Sequence, residues 1–322
     1  MFQRLVMAFA AAALALGASA QDYPTRTVTI IVPFAAGGPT DTVTRLVAQS
    51  MTKTLGQTVI VENVVGAGGT IGANKVAKSK PDGYTLLLWH IGMSTAPALY
   101  RNLPFNPLTD FEYIGMVTDV PMTIIARKDF PPKDMKELID YVKKNKEKVT
   151  YANAGLGAAS HLCGTLFMSA IDTDLTTVPY KGTGPAMNDL LGGQVDFMCD
   201  QTTNTTPQIK GGKVKAYAVT VPNRVKALAD LPTANESGIK GFHVGVWHGI
   251  YAPKGTPRPI VDKLNKAMVA ALHDPNVIAK FADLGTEPMP DKMATPEAHA
   301  AFLKAEIDKW GPILRKAGKF AD

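Results

Sequence analysis

Two glycine-rich strand-to-helix turns, two aspartates and a Ser-His pair are the residues of this 322-residue chain placed to do chemistry. Residues 27–41, Thr-Val-Thr-Ile-Ile-Val-Pro-Phe-Ala-Ala-Gly-Gly-Pro-Thr-Asp, carry a buried-looking strand straight into a small-residue turn that opens a helix. The first N–H groups of a helix have no acceptor within it, and the aligned peptide dipoles put partial positive charge at that end. An anion can dock there without any basic side chain. Gly37 and Gly38 lack the Cβ atoms that would block close approach, while Pro39 and Thr40 suit the first helical turn and its cap. The alternative is a tight turn that binds nothing. Asp41 in the same turn is either a dipole partner of its own helix or an acceptor for a ligand hydroxyl, water or ammonium.

The arrangement returns later. At 149–152 Val-Thr-Tyr-Ala runs into Asn153-Ala154-Gly155-Leu156-Gly157-Ala158-Ala159-Ser160, then a helical pattern to 170 that includes His161. Gly155-x-Gly157-x-x-Ser160, with Asp174 beyond it, has the outline of a dinucleotide fingerprint, but the third glycine is missing. Gly66-x-Gly68 fails too, because Ile71 holds the third position. No cofactor is expected, and the glycines serve equally well to expose amides to a carboxylate. Ser160 and His161 are the residue types of a nucleophile and its base. Neighbours on a helix point about 100° apart, which sets them against a shared hydrogen bond. Ser160 is expected to cap its helix and His161 to line a cleft. Asp200 follows an apolar strand and falls at its end, where open α/β sheets place ligands; Gln201, Thr202 and Thr203 beside it would complete a polar, uncharged wall.

The rest of the inventory excludes other chemistry. There is no Gly-x-Ser-x-Gly elbow and no His-Glu-x-x-His. The six histidines show no metal-ligand spacing, and His243 and His248 in a strand would point to opposite faces, so no metal site is expected.

Alternating strands and helices must position these residues. A helical period over 41–55 ends at Gly56, a C-cap; strands follow at 58–61 and 84–89, with a second glycine turn at 65–70 and a short helix at 70–78 between them. Later strands are expected at 177–180, 194–199 and 213–220, with a helix starting at 184–187. Tail helices at 257–273 and 296–317 each begin with a threonine-proline pair and pack on the first lobe. This alternation argues α/β architecture with mostly parallel sheets flanked by helices. One strand, glycine loop and helix start heads each half, as expected for two lobes facing across a ligand cleft. Segments 123–126 and 245–252 are uncharged and strand-like, suited to cross between them. The lobes are set at 21–123 plus 246–322 and at 124–245.

Residues 1–20 read as a secretory signal: Arg4, an apolar run over 5–16, then Gly17-Ala18-Ser19-Ala20 before a cut, with a mature start at Gln21. That run is shorter than the roughly 18 to 20 residues of a membrane span, so a bacterial periplasm is the expected compartment and monomer the expected state. Cys163 and Cys199, the only cysteines, are then either a disulfide, favoured by an even count in an exported chain, or two buried thiols. With 46% hydrophobic residues a core is ample. The net charge of +6 comes from dispersed lysines, the one dense cluster (Lys143, Lys144, Lys146, Lys148) marking the solvated end of a helix, so no nucleic-acid partner is expected.

Together these segments resemble the Bug family of extracytoplasmic solute receptors, the TctC-like binding proteins of tripartite tricarboxylate transporters. The resemblance rests on Ile31-Val32-Pro33-Phe34-Ala35-Ala36-Gly37-Gly38 with Asp41, Val61-Glu62-Asn63 with Gly66-Ala67-Gly68-Gly69, Pro81-Asp82-Gly83-Tyr84-Thr85-Leu86-Leu87, Val178-Pro179-Tyr180-Lys181-Gly182 and Ala252-Pro253-Lys254-Gly255-Thr256-Pro257. It covers essentially the whole mature chain and implies a two-lobe periplasmic binding protein, type II-like, that closes on a small organic acid and hands it to membrane permease subunits. By the same resemblance one ligand carboxylate is held, partly through waters, by Phe34, Ala35, Gly37, Thr40, Asp41, Gly66, Ala67 and Gly68. The loop from Asn153 through Ala154, Gly155 and Ser160 to His161 would hold the other end. Cys163, Cys199 and Trp89-His90 depart from the family pattern. A secreted α/β hydrolase using Ser160, and a ligand-presenting partner of a membrane sensor kinase, are the rival readings.

Overall fold

The computed structural model describes residues 23–317; the expected leader, 1–20, lies outside them. The first half builds the unit β1 (Val28–Val32), α1 (Pro39–Leu55), β2 (Val59–Asn63), α2 (Thr70–Ala77) and β3 (Thr85–His90). β1 lies between β2 and β3, parallel to both. α3 (Gly92–Leu99) then leads to β4 (Phe111–Arg127), α4 (Met135–Lys144) and a second unit: β5 (Thr150–Asn153), α5 (Ala159–Ala170), β6 (Thr176–Pro179), α6 (Thr183–Leu191) and β7 (Phe197–Gln201). Here β5 lies between β6 and β7, parallel to both. The repeat legible around 149–160 is thus a repeat of topology.

The remainder is α7 (Thr202–Lys210), β8 (Val214–Val219), β9 (Gly245–Pro253), α8 (Arg258–Leu272), α9 (Pro275–Asp283) and α10 (Pro296–Ala317). β4 joins the lobes. Its residues Phe111 to Pro121 pair antiparallel with β9, and Met122 to Arg127 pair with β7 on one side and β8 on the other. β9 does not cross as the sequence suggested: its whole length pairs with β3 and β4 in the first sheet. The return is made just before it, where Val244 N–H donates to Thr220 O and the Thr220 hydroxyl donates to Val244 O.

Strand residues sort by parity, as buried parallel strands require. Leu86 and Leu88 face the helices α1 and α8 with Val47, Met51 and Leu264, while Leu87 and Trp89 face the other layer with Val76, Leu99 and Leu303. Both layers are built of buried side chains, so the sheet is packed from each side. The cysteines form a disulfide, Cys163 of α5 to Cys199 of β7. It ties the helix after the loop at 153–158 to the strand that carries Asp200 and ends at Gln201.

Candidate functional site

The first glycine loop is held from behind. Gly38 in extended conformation precedes Pro39 at the start of α1, and Gly56 in the left-handed region ends it with its N–H on Thr52 O. Asp41, only 3% exposed, accepts Gly37 N–H (3.0 Å) and Arg45 Nε (2.9 Å) on one oxygen and Asn63 Nδ2 (3.0 Å) on the other. Asn63 Nδ2 also donates to Phe34 O. Burial alone would raise the Asp41 pKa, but the bonds from Arg45, Gly37 and Asn63 outweigh it and hold the carboxyl below its ordinary value. Asp41 therefore braces the loop from within, through one loop amide and two side chains.

The second lobe repeats the device with a hydroxyl. Ser160 Oγ accepts Ala154 N–H (2.9 Å) and Asn153 Oδ1 accepts Gly155 N–H (2.8 Å), folding the loop onto α5. Ser160 is not the helix cap expected from sequence. Ala158 occupies that position, and Ser160 lies two residues further on, in the first turn, where its Oγ reaches back to the loop instead of an N–H of its own helix. Tyr151 Oη donates to Ser160 O and accepts Cys199 N–H, joining α5 to β7 beneath the loop.

The lobes meet over these loops. Ala35 N–H donates to Lys181 O (2.9 Å), Tyr100 Oη to Leu156 O (2.8 Å) and Thr95 Oγ1 to Gly157 O (2.9 Å). Two cavities lie along the seam and share Phe34 and Ala154. The outer one, about 700 Å³, is lined by Gly66, Ala67, Gly68, Gly155, Tyr100 and Tyr180 among others, with Lys181 its one charged lining residue among those described. The inner one is about 20 Å³, room for one small polar group, and its walls include Thr40, His90, Ser160, Thr183, Asp200 and Gln201.

Four helices start at the inner chamber: α1 at Pro39–Thr40, α5 at Ala159–Ser160, α6 at Thr183 and α7 after Gln201. None has a side-chain cap, so the donors of their first turns stay open to other acceptors. Among the described residues no lysine or arginine lines the chamber, and its histidine is neutral. Burial drives His90 well below its ordinary value, helped by His248, and lowers His248 to about 3. His248 Nδ1 faces Val246 O at 2.9 Å, so Nδ1 carries the proton and Nε2 accepts from Thr40 Oγ1 at 3.3 Å. Gly92 N–H donates to His90 Nδ1, which leaves the proton of neutral His90 on Nε2. Phe34 stacks on that ring, centroids 4.8 Å apart.

Of the residues singled out in the sequence, Phe34, Thr40, Ala154, Ser160 and Asp200 wall the inner chamber, and Gly66, Ala67, Gly68 and Gly155 the outer cavity. Ala35, Gly37, Asp41, Asn153 and His161 line neither. The Ala35 amide serves the lobe seam and the Gly37 amide serves Asp41. Thr183 and Tyr100 went unread. Thr183 carried a signal, a small polar residue after Gly182 at a helix start, whereas Tyr100 reaches the seam only through tertiary packing.

Open helix starts and neutral donors converging on one chamber are an arrangement suited to an anion. The model of the tripartite tricarboxylate transporter family receptor, TctC, matches residues 43–319. The periplasmic binding protein BugD is 60% identical with a TM-score of 0.91, covering 93% of this chain and 100% of its own. MatC from Rhodopseudomonas palustris with bound malate is 44% identical, TM-score 0.88, over 91% of this chain and 100% of its own. The R. palustris protein Rpa4515 with adipate is 34% identical, TM-score 0.87, over 92% and 99%. These relatives are binding proteins, which removes the Ser160 hydrolase reading, and the two-lobe periplasmic-binding-protein fold is theirs too. By sequence, topology and site, this chain belongs to the TctC family of tripartite tricarboxylate transporter receptors.

Proposed function

We propose that this protein captures a small organic carboxylate, a di- or tricarboxylate or a related acid, between its lobes and delivers it to the permease subunits of a tripartite tricarboxylate transporter. The observation that carries this reading is the meeting of α1 and α5, from opposite lobes, with open N-termini at a chamber that no cationic side chain among the described residues lines. A carboxylate there bonds to both lobes at once and so stabilises the closed form, the state a permease would read. The ligand lies along the seam, one end in the inner chamber and the rest past Phe34 and Ala154 toward the glycines at 66–68. The acids in MatC and Rpa4515 support the class. The lobes of the sequence reading, 21–123 plus 246–322 and 124–245, move as the two jaws.

Export by the 1–20 leader with cleavage after Ala20, to a periplasmic monomer, belongs to the same reading, and the disulfide supports an oxidising compartment. Mass spectrometry of the small molecules released on denaturing the freshly purified protein tests it. A carboxylic acid near one per chain is expected. A neutral sugar or a polyamine in that amount would overturn the proposal.

A further inference from the structure

The inner chamber holds an unmatched group. Asp200 is 1% exposed; its Oδ2 accepts Asn204 Nδ2 at 2.6 Å, while Oδ1 has no hydrogen-bond partner among the described residues. Gln201 Oε1, on the same wall, is buried and equally unpartnered. A buried acceptor left without a donor is costly, and a charged one more so. Burial pushes the Asp200 carboxyl up to about 6, eased chiefly by Asn204, and among the described residues no lysine or arginine lines the chamber beside it. Asp200 and Gln201 are acceptors on the α7 side of the chamber; the open amides of α1 and α5 are donors on its other walls.

Both sets border the same chamber of about 20 Å³. A carboxylate seated on the open amides fills the chamber, so only a donor on the carbon next to it is close enough to reach the acceptors on the chamber wall. We infer that Asp200 is the specificity-determining residue of this receptor, selecting acids that carry a hydroxyl or ammonium group on the carbon next to the carboxylate. This rests on the carboxylate reading above and narrows it. A plain dianion brings only acceptors to Asp200 and leaves Oδ1 unpaired against another negative charge. Sites built to hydrogen-bond one polar group discriminate strongly against analogues that lack it.

The test is calorimetric titration of refolded protein at pH 7.5 with L-malate, L-aspartate and succinate, which share a four-carbon diacid frame and differ at one substituent. The wild type is expected to bind malate or aspartate at least about 10-fold tighter than succinate, and which of the two wins separates hydroxyl from ammonium. Asp200→Asn, nearly isosteric and uncharged, is expected to bring succinate within about 3-fold of the preferred acid. Asp200→Ser serves the same comparison if the first variant does not fold. Equal binding of all three acids to the wild type, or a preference unchanged in the variant, overturns the role of Asp200 and leaves the carboxylate reading standing. No heat from any of the three overturns the role of Asp200, and titration with citrate and adipate then decides the carboxylate reading.

Discussion

Gly68→Ala is expected to weaken ligand binding about 100-fold while leaving the protein folded. Gly68 lies in the second glycine loop with φ of +61°, and a Cβ built there would sit 1.9 Å from Leu156 O of the opposite lobe and 2.8 Å from the Tyr100 hydroxyl. The near atom is backbone and cannot swing aside, so the lobes could meet only by displacing a loop. Overpacking of this kind costs roughly 1–3 kcal/mol, the upper end being about a hundredfold in affinity. With the lobes apart the Leu156 clash disappears and the Tyr100 side chain is free to swing aside, so folding should lose only the roughly 1 kcal/mol of a left-handed alanine. Gly56→Ala supplies the control: φ there is +68° and nothing lies within 4 Å of the added Cβ. Both variants should lose similar thermal stability in the ligand-free state, and only Gly68→Ala should lose binding by calorimetry. Equal affinities would mean that the seam through Leu156 does not form around a ligand.

Replacing Cys163 and Cys199 together by alanine is expected to cost about 4 kcal/mol, from the loop-closure entropy of a bridge spanning roughly 36 residues. Both side chains are buried, so an outside thiol reaches the bridge slowly and the double variant is the cleaner experiment. In a lobe of this size that is a fall on the order of 10 °C in the unfolding midpoint. Cys199 immediately precedes Asp200, and Cys163 lies one helical turn beyond Ser160, so the bridge also clamps two walls of the inner chamber together. Scanning calorimetry of the double variant against the wild type measures the effect. An unchanged midpoint would show that the hydrophobic contacts of α5 on β7 already supply the stability.

What the sequence disclosed and what it hid follow from the range of the interactions. The strand-loop-helix units around residues 27–41 and 149–160 were legible because glycine, proline and apolar periodicity act over a few residues. β4 was seen only at 123–126, because Gly115, Asp119 and Pro121 interrupt its alternation; sheet pairing on β9 carries the strand through them, with register slips near Gly115 and Met116. α3 was missed because it is buried nearly all round and holds Pro97, so it has no amphipathic stripe. α7 was missed for its threonines and Pro207. The chamber was legible only in part. Phe34, Thr40, Ser160 and Asp200 flank their own loops, and Trp89-His90 stood out as a departure, but the tautomer of His90 and the place of Thr183 depend on partners far away in the chain. Asp41 shows the converse: sequence left its role open, and Gly37, Arg45 and Asn63 define it.

The central claim is that a small organic acid binds between the lobes at the helix starts of α1 and α5. Unfolding the protein in denaturant, dialysing away any bound molecule, refolding it and titrating it by calorimetry with malate, aspartate, succinate, citrate and adipate tests this most directly. The expected result is one site per chain, a Kd of about 1 μM or tighter for at least one acid, and a negative heat-capacity change from closing the apolar seam. Correctly refolded protein that gives no heat with any of the five would contradict it.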